Sequence, residues 1–236
     1  MKRLVLVILM LGFALPGNAG SKLAHKWYKQ GVELGNKGKI DKALGKFQKA
    51  VTLDPKVFVY RLKLALAYKL SSRYPEAQAE YEWCVHKNRR SWHAWNGLGD
   101  VYRKLRFLKK AVNTYKHALK LKHKAIPSIK GLAATYAMLK DFNTSLKEYK
   151  RILKLNKKNA DVYFRIGNIY LVEKKAYDKA LNYYKKSLAL APGNGRVLFG
   201  IGMSYMKQGN IDNARKYLKK ACDKGLRRAC RELFKM

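Results

Sequence analysis

Groups able to do chemistry are few in this 236-residue chain. It has five histidines, three cysteines and fifteen carboxylates, set among 52 lysines and arginines. A metal ion must be gripped from several sides, so its ligands cluster on one helix face or one loop. His25, His86, His93, His117 and His123 show no metal-ligand spacing on one helix face and no cysteine partner. Glu80 and Glu82 stand two apart, which on a helix turns them to different faces, so they make no acid–base pair. Gly200 and Gly202 sit in an apolar helical pattern, not in a phosphate-cradling loop after a strand. Catalysis is not expected, and neither is a cofactor or a metal. The dominant chemistry is cationic: the formal net charge is +37 and the isoelectric point about 10.2. Dense groups occur at Lys109 with Lys110; at Lys147, Lys150, Arg151 and Lys154; at Lys185 with Lys186; and at Arg215, Lys216, Lys219 and Lys220. Such an excess favours anionic partners and speeds encounter with them. A surface that only needs to be soluble mixes both signs, although a solvated outer face is the alternative reading of these clusters.

A repeat positions these side chains. Gly31, Ala65, Gly99, Ala133, Gly167 and Gly202 recur every 34 residues, with 35 at the last step. Leu34, Tyr68, Tyr102, Tyr136, Tyr170 and Tyr205 form a second column. A third is Ala43, Ala77, Ala111, Ser145, Ala180 and Ala214, and a fourth is Phe47, Tyr81, Tyr115, Tyr149, Tyr184 and Leu218. A fixed period of this length marks a stacked array in which no unit buries its apolar face alone. Each unit reads as two amphipathic helices, the third running roughly from Trp92 to Leu105 and from Leu108 to Leu121. Small residues let the paired backbones approach, and the aromatic columns fill the space between hairpins. Cys84 shares a small-residue column with Ala50, Ala118 and Ala221 and so reads as an inert core thiol.

Trp95, Leu98, Gly99, Tyr102, Ala111, Tyr115 and Ala118 resemble the tetratricopeptide repeat signature, and the likeness covers about residues 24 to 226. It implies an all-α, right-handed superhelical solenoid of six helix-turn-helix repeats, over about 24–57, 58–91, 92–125, 126–159, 160–194 and 195–226. The closing proline survives only as Pro55 and Pro192, and the opening tryptophan only as Trp27 and Trp95. A one-residue insertion falls between Tyr170 and Ala180, where the hairpin turn is expected, and should leave both helices of that unit intact. The resemblance also implies a concave groove, lined by first helices, that takes extended or helical peptides. Its lining would be Tyr28, Lys63 and Lys69, then Asn96, Arg103 and Lys130, then Phe164, Arg165, Asn168, Phe199 and Met203. Lys63, Lys69, Arg103, Lys130 and Arg165 read as a ladder of donors for carboxylates or phosphates. Phe164, Phe199, Met203 and Met206 read as a softer apolar stretch, with inter-helix packing as the alternative. The expected partner is therefore a protein or peptide alternating acidic and apolar side chains. The family's carboxylate clamp is not reproduced, because Tyr28 and Val32 replace its lysine and asparagine.

The ends add location. Lys2 and Arg3, an apolar run from Leu4 to Leu15 and then Pro16-Gly17-Asn18-Ala19 describe a secretory signal peptide over residues 1–19. The run is shorter than the roughly 20 apolar residues of a spanning helix. Cleavage after Ala19 leaves 50 cationic side chains against 15 acidic ones, a net +35. The mature chain, 20–226 plus its end, is expected in the periplasm or cell envelope. Secretion and tethering by an uncleaved signal anchor are the alternatives. Ala221-Cys222-Asp223-Lys224-Gly225 followed by Ala229-Cys230 resembles the Sel1-like relatives of the family. That resemblance implies a Cys222–Cys230 bond pinning a capping helix over 227–236, which an exported location permits. Two free thiols are the alternative. The expected function is a non-enzymatic interaction scaffold of the bacterial envelope. Exported relatives with six repeats serve type IV pilus biogenesis, outer-membrane protein insertion and polysaccharide secretion. The second reading is an electrostatic binder of lipopolysaccharide, phospholipid or acidic glycan. Nucleic acid is the least favoured partner, since the aromatics occupy core columns and no reader motif occurs.

Overall fold

The computed structural model describes residues 17–173 and 175–236, so the basic and apolar start of the signal segment lies outside the described residues. In chain order the helices are α1 (Gly17–Asn36), α2 (Ile40–Leu53), α3 (Phe58–Leu70), α4 (Tyr74–Lys87), α5 (Trp92–Lys104), α6 (Leu108–Leu121), α7 (Ile126–Met138) and α8 (Phe142–Leu155). There follow α9 (Ala160–Asn168), a π-turn (Ile169–Glu173), α10 (Tyr177–Leu190), α11 (Gly195–Lys207), α12 (Ile211–Asp223) and α13 (Arg227–Phe234). No strand occurs among the described residues. The chain divides into two compact units between Val101 and Tyr102, within the range of α5. In the first unit α1 packs on α2, α2 on α3 and α3 on α4. In the second, α7–α8, α9–α10 and α11–α12 form hairpins, α6 packs on α7 and α10 on α11, and α13 closes on α12.

The columns explain this packing. All six members of the glycine-alanine column are buried, as are all six of the Phe47 column. Tyr184 shows the principle: its fully buried ring lies between Gly167 of its own hairpin and Gly200 of the next. A Cβ at Gly167 or Gly200 would stand 2.6 or 2.7 Å from that ring, so neither position has room for alanine. Ser145 replaces the alanine of its column without leaving a buried hydroxyl unpaired, because Oγ donates to the Ala133 carbonyl at 2.8 Å.

The hairpin turns form another column. Gly38, Ser72, Arg106, Lys140, Lys175 and Gly209 all have positive φ, between 48° and 78°. An L side chain costs roughly 1–2 kcal/mol in that region, so four of these turns carry a strain that the two glycine turns do not.

The insertion lies elsewhere than in the hairpin turn alone. It is taken up partly by the π-turn Ile169–Glu173, which replaces the last α-helical turn of the fifth unit's first helix. One extra residue per turn is what an i→i+5 bond accommodates, so the helix widens at this point.

At the carboxyl end Gly225 has φ +79°. Its N–H donates to the Cys222 carbonyl and that of Leu226 to the Ala221 carbonyl, which ends α12 with a left-handed residue. The Cys222 and Cys230 sulfurs are 2.01 Å apart and join α12 to α13. Ala229 of α13 is buried in one cluster with Leu198, Leu218 and Ala221, and Leu226, Leu233 and Met236 pack against that cluster.

Candidate partner-binding groove

In the first unit the expected lining is largely engaged within the fold. Tyr28 packs against Tyr60 at 5.0 Å, His25 at 6.0 Å and Phe47 at 6.1 Å between ring centres. Lys63 borders a cleft of about 140 Å³ beside Val32, Phe47 and Leu66. Lys69 Nζ meets Asp100 Oδ2 at 2.9 Å, with both side chains mostly covered. Asn96 is half-buried on α5.

The second unit divides the remaining candidates into two groups. Arg103 Nε donates to the Tyr115 hydroxyl at 3.4 Å. Lys130 and Arg165 converge on one carboxylate, Asp161, at 3.4 and 3.0 Å. Burial alone would raise the Asp161 pKa, but the hydrogen bond and charge of Arg165, helped by Lys130, hold it below the ordinary carboxylate value. The donor ladder read from the sequence is thus partly consumed by the protein's own acids.

Phe164, Asn168, Phe199 and Met203 are brought together. They line a groove of about 740 Å³ between α9 with its π-turn and α11, floored by Tyr184 and Gly200. The Tyr184 hydroxyl donates to Asn168 Oδ1 at 2.7 Å, which fixes the amide and leaves its NH2 group directed by that bond. Burial pushes the Tyr184 pKa up, so the ring stays neutral at every ordinary pH. Leu171 and Val172 of the π-turn extend the apolar wall.

The rim is cationic, with Lys175, Arg196, Lys207 and Arg228, and among the described residues the lining contains no carboxylate. Arg228 comes from α13 and lies over the Phe199 ring at 5.2 Å. Sequence reasoning missed these four residues. Arg196 shares the column of His93 and Asp161, where the residue type changes from unit to unit, and Arg228 lies beyond the last repeat. Chemically, such a trough offers apolar and Met contacts below and ammonium or guanidinium donors above.

No group of three or more His, Cys, Asp or Glu side chains able to hold a metal occurs among the described residues. The Cys84 thiol is buried, and burial, with the nearby Glu80 charge, pushes its pKa up to about 12. It therefore stays protonated and is a poor nucleophile.

Comparison with known proteins gives a consistent assignment. Sequence profiles described as tetratricopeptide repeat match residues 62–125 and 135–195, and again 171–223. An uncharacterised protein of Methanocaldococcus jannaschii is 46% identical over 57 residues, which are 24% of this chain and 66% of that protein, just under two thirds of its length. Among solved structures, Pseudomonas aeruginosa PilF superposes with a TM-score of 0.71 at 17% identity, covering 86% of this chain and 91% of PilF. The Cut9–Hcn1 heterotetramer of the APC/C gives 0.76 at 18% identity, over 92% of this chain and 45% of that one. YrrB, described as a repeat protein with an unusual peptide-binding site, gives 0.61 at 20% identity, over 80% and 98%. At these identities the structural likeness concerns the fold. The profiles cover more than half of the sequence, and the chain belongs to the tetratricopeptide repeat family, whose members are scaffolds that bind peptides or proteins.

Proposed function

We propose that this protein is a non-enzymatic scaffold of the bacterial periplasm or cell envelope. Its groove between α9 and α11 docks an extended peptide that alternates acidic and apolar side chains. One observation carries the reading: the groove combines an apolar lining of Phe164, Phe199 and Met203 with four rim cations and, among the described residues, no lining carboxylate. Apolar anchors in a recess supply affinity, and the rim selects the sign of the partner's charge. Support for export is the basic start and short apolar run before Ala19.

Calorimetric titration with a model peptide of alternating Asp and Leu tests the docking. Saturable binding is expected at 150 mM salt, together with loss on Phe164→Ala combined with Phe199→Ala. Binding that disappears at 150 mM salt, or that ignores both substitutions, would mean the groove is not the site. For location, fractionation with intact-mass measurement should find the mature chain in the envelope, shortened by the residues up to Ala19. Recovery of full-length chain from cytosol alone would remove the export reading.

A further inference from the structure

The second-helix face of the second unit carries a separate recess of about 790 Å³ between α8 and α10. Its lining on α8 is Lys147, Lys150, Arg151 and Lys154, positions that share one helix face because they are spaced i, i+3, i+4 and i+7. Lys179 of α10 faces them across the gap, above the Tyr170 ring at 5.9 Å. Among the described residues the lining carboxylate is Glu148, and it is already engaged: Arg151 Nη1 meets Glu148 Oε2 at 3.2 Å. The other Arg151 nitrogen donates to the His123 carbonyl, so the guanidinium is held in place before any ligand arrives. Lys147, Lys150, Lys154 and Lys179 have no carboxylate within ion-pair reach among the described residues.

From this geometry we infer that the recess between α8 and α10 is a binding site for an oligophosphate, a ligand with two or more phosphate groups. Lys147 to Lys154 span ~10 Å along the helix, the reach of two or three linked phosphates. Lysines gathered without acids repel one another, and a ligand of high negative charge density relieves that repulsion where a single carboxylate would not. The recess is concave and walled by Leu146 and Tyr170, which suits a compact soluble anion better than a flat lipid surface. It shares no residue with the groove described above.

The test is titration of inorganic tripolyphosphate into the full chain at about 50 mM salt, where charge-driven affinity is strong. One saturable site is expected. Lys147→Glu, Lys150→Glu and Lys154→Glu together should weaken binding at least tenfold, while arginine at the same three positions should keep it within threefold. A second variant, Lys216→Glu, Lys219→Glu and Lys220→Glu on α12, makes the same change in net charge and should stay within threefold of the wild type. Equal losses in the two glutamate variants would show that net charge alone is at work and overturn the site. So would the absence of saturable binding. Phosphatidylglycerol vesicles held through the α8 lysines and not displaced by tripolyphosphate would overturn the oligophosphate assignment in favour of a membrane.

Discussion

Two neighbouring gaps on one face of the second unit carry opposite charges at one repeated position. Between α7 and α9, Asp161 ties down both Lys130 and Arg165. Between α9 and α11, the residue at the column position of Asp161 is Arg196, and no carboxylate among the described residues lines the space. The π-turn aside, side chains make the contrast: one acid closes the first gap with an internal ion-pair cluster, and a cation at the same repeated position leaves the second with donors and no facing acid among the described residues. The first unit sides with the closed case, since Asp100 occupies Lys69 and aromatic rings crowd Tyr28. Sealing and recognition are thus alternative uses of the same surface.

Truncating the two phenylalanines that line the open groove tests the contrast most severely. Phe164→Ala with Phe199→Ala should weaken the Asp–Leu peptide on the order of 100-fold or more, as buried aromatic anchors dominate such interfaces. Lys130→Ala in the closed gap should change the same calorimetric affinity less than about twofold. Comparable losses would erase the distinction. Next in size is Gly200→Ala, which drives a Cβ into the Tyr184 ring under the open groove. Overpacking there should cost about 1–3 kcal/mol, read as a lower chemical-denaturation midpoint at unchanged slope. Arg196→Asp gives the open gap the sign of the closed one and should weaken the peptide about tenfold at low salt, with a flatter salt dependence.

Smaller effects sharpen the picture. Lys140 bends the α7–α8 hairpin at φ +63°, where its column partner Gly209 bends α11–α12 without a side chain. Lys140→Gly should therefore gain up to about 1 kcal/mol of stability, the released strain exceeding the added freedom of the unfolded chain. The Asp161 pKa is held down in the folded protein. Its contribution is present above the unfolded carboxylate value of about 3.9 and is lost as pH falls through the lower folded value. Asp161→Asn should accordingly lower the melting temperature slightly at pH 6, with the difference vanishing near pH 2.

The hairpin array was legible because its columns are dictated by backbone approach and cannot vary without disturbing a neighbour. Gly167 and Tyr184 could be matched by spacing alone. The ion pairs were harder to read: Lys69 with Asp100 and Lys130 with Asp161 each join residues 31 apart, and they emerge only when the period is combined with the facing of adjacent helices. The π-turn was hidden because one inserted residue can be absorbed anywhere between two fixed columns. Hydrophobic pattern does not choose between a longer loop and a wider helix. Arg228 escaped for a simpler reason, as it stands on α13, outside the periodic positions.

The ring of Tyr184 serves two masters, as the floor of the groove and as the wedge that seats α11 against the preceding hairpin. Any guest pressed onto that floor must also tighten the last joint of the array, the end from which a stack of repeats ordinarily frays. Occupancy would then register as slowed amide exchange in α11 and α12 ahead of the rest of the molecule, making the tail of the chain its own reporter.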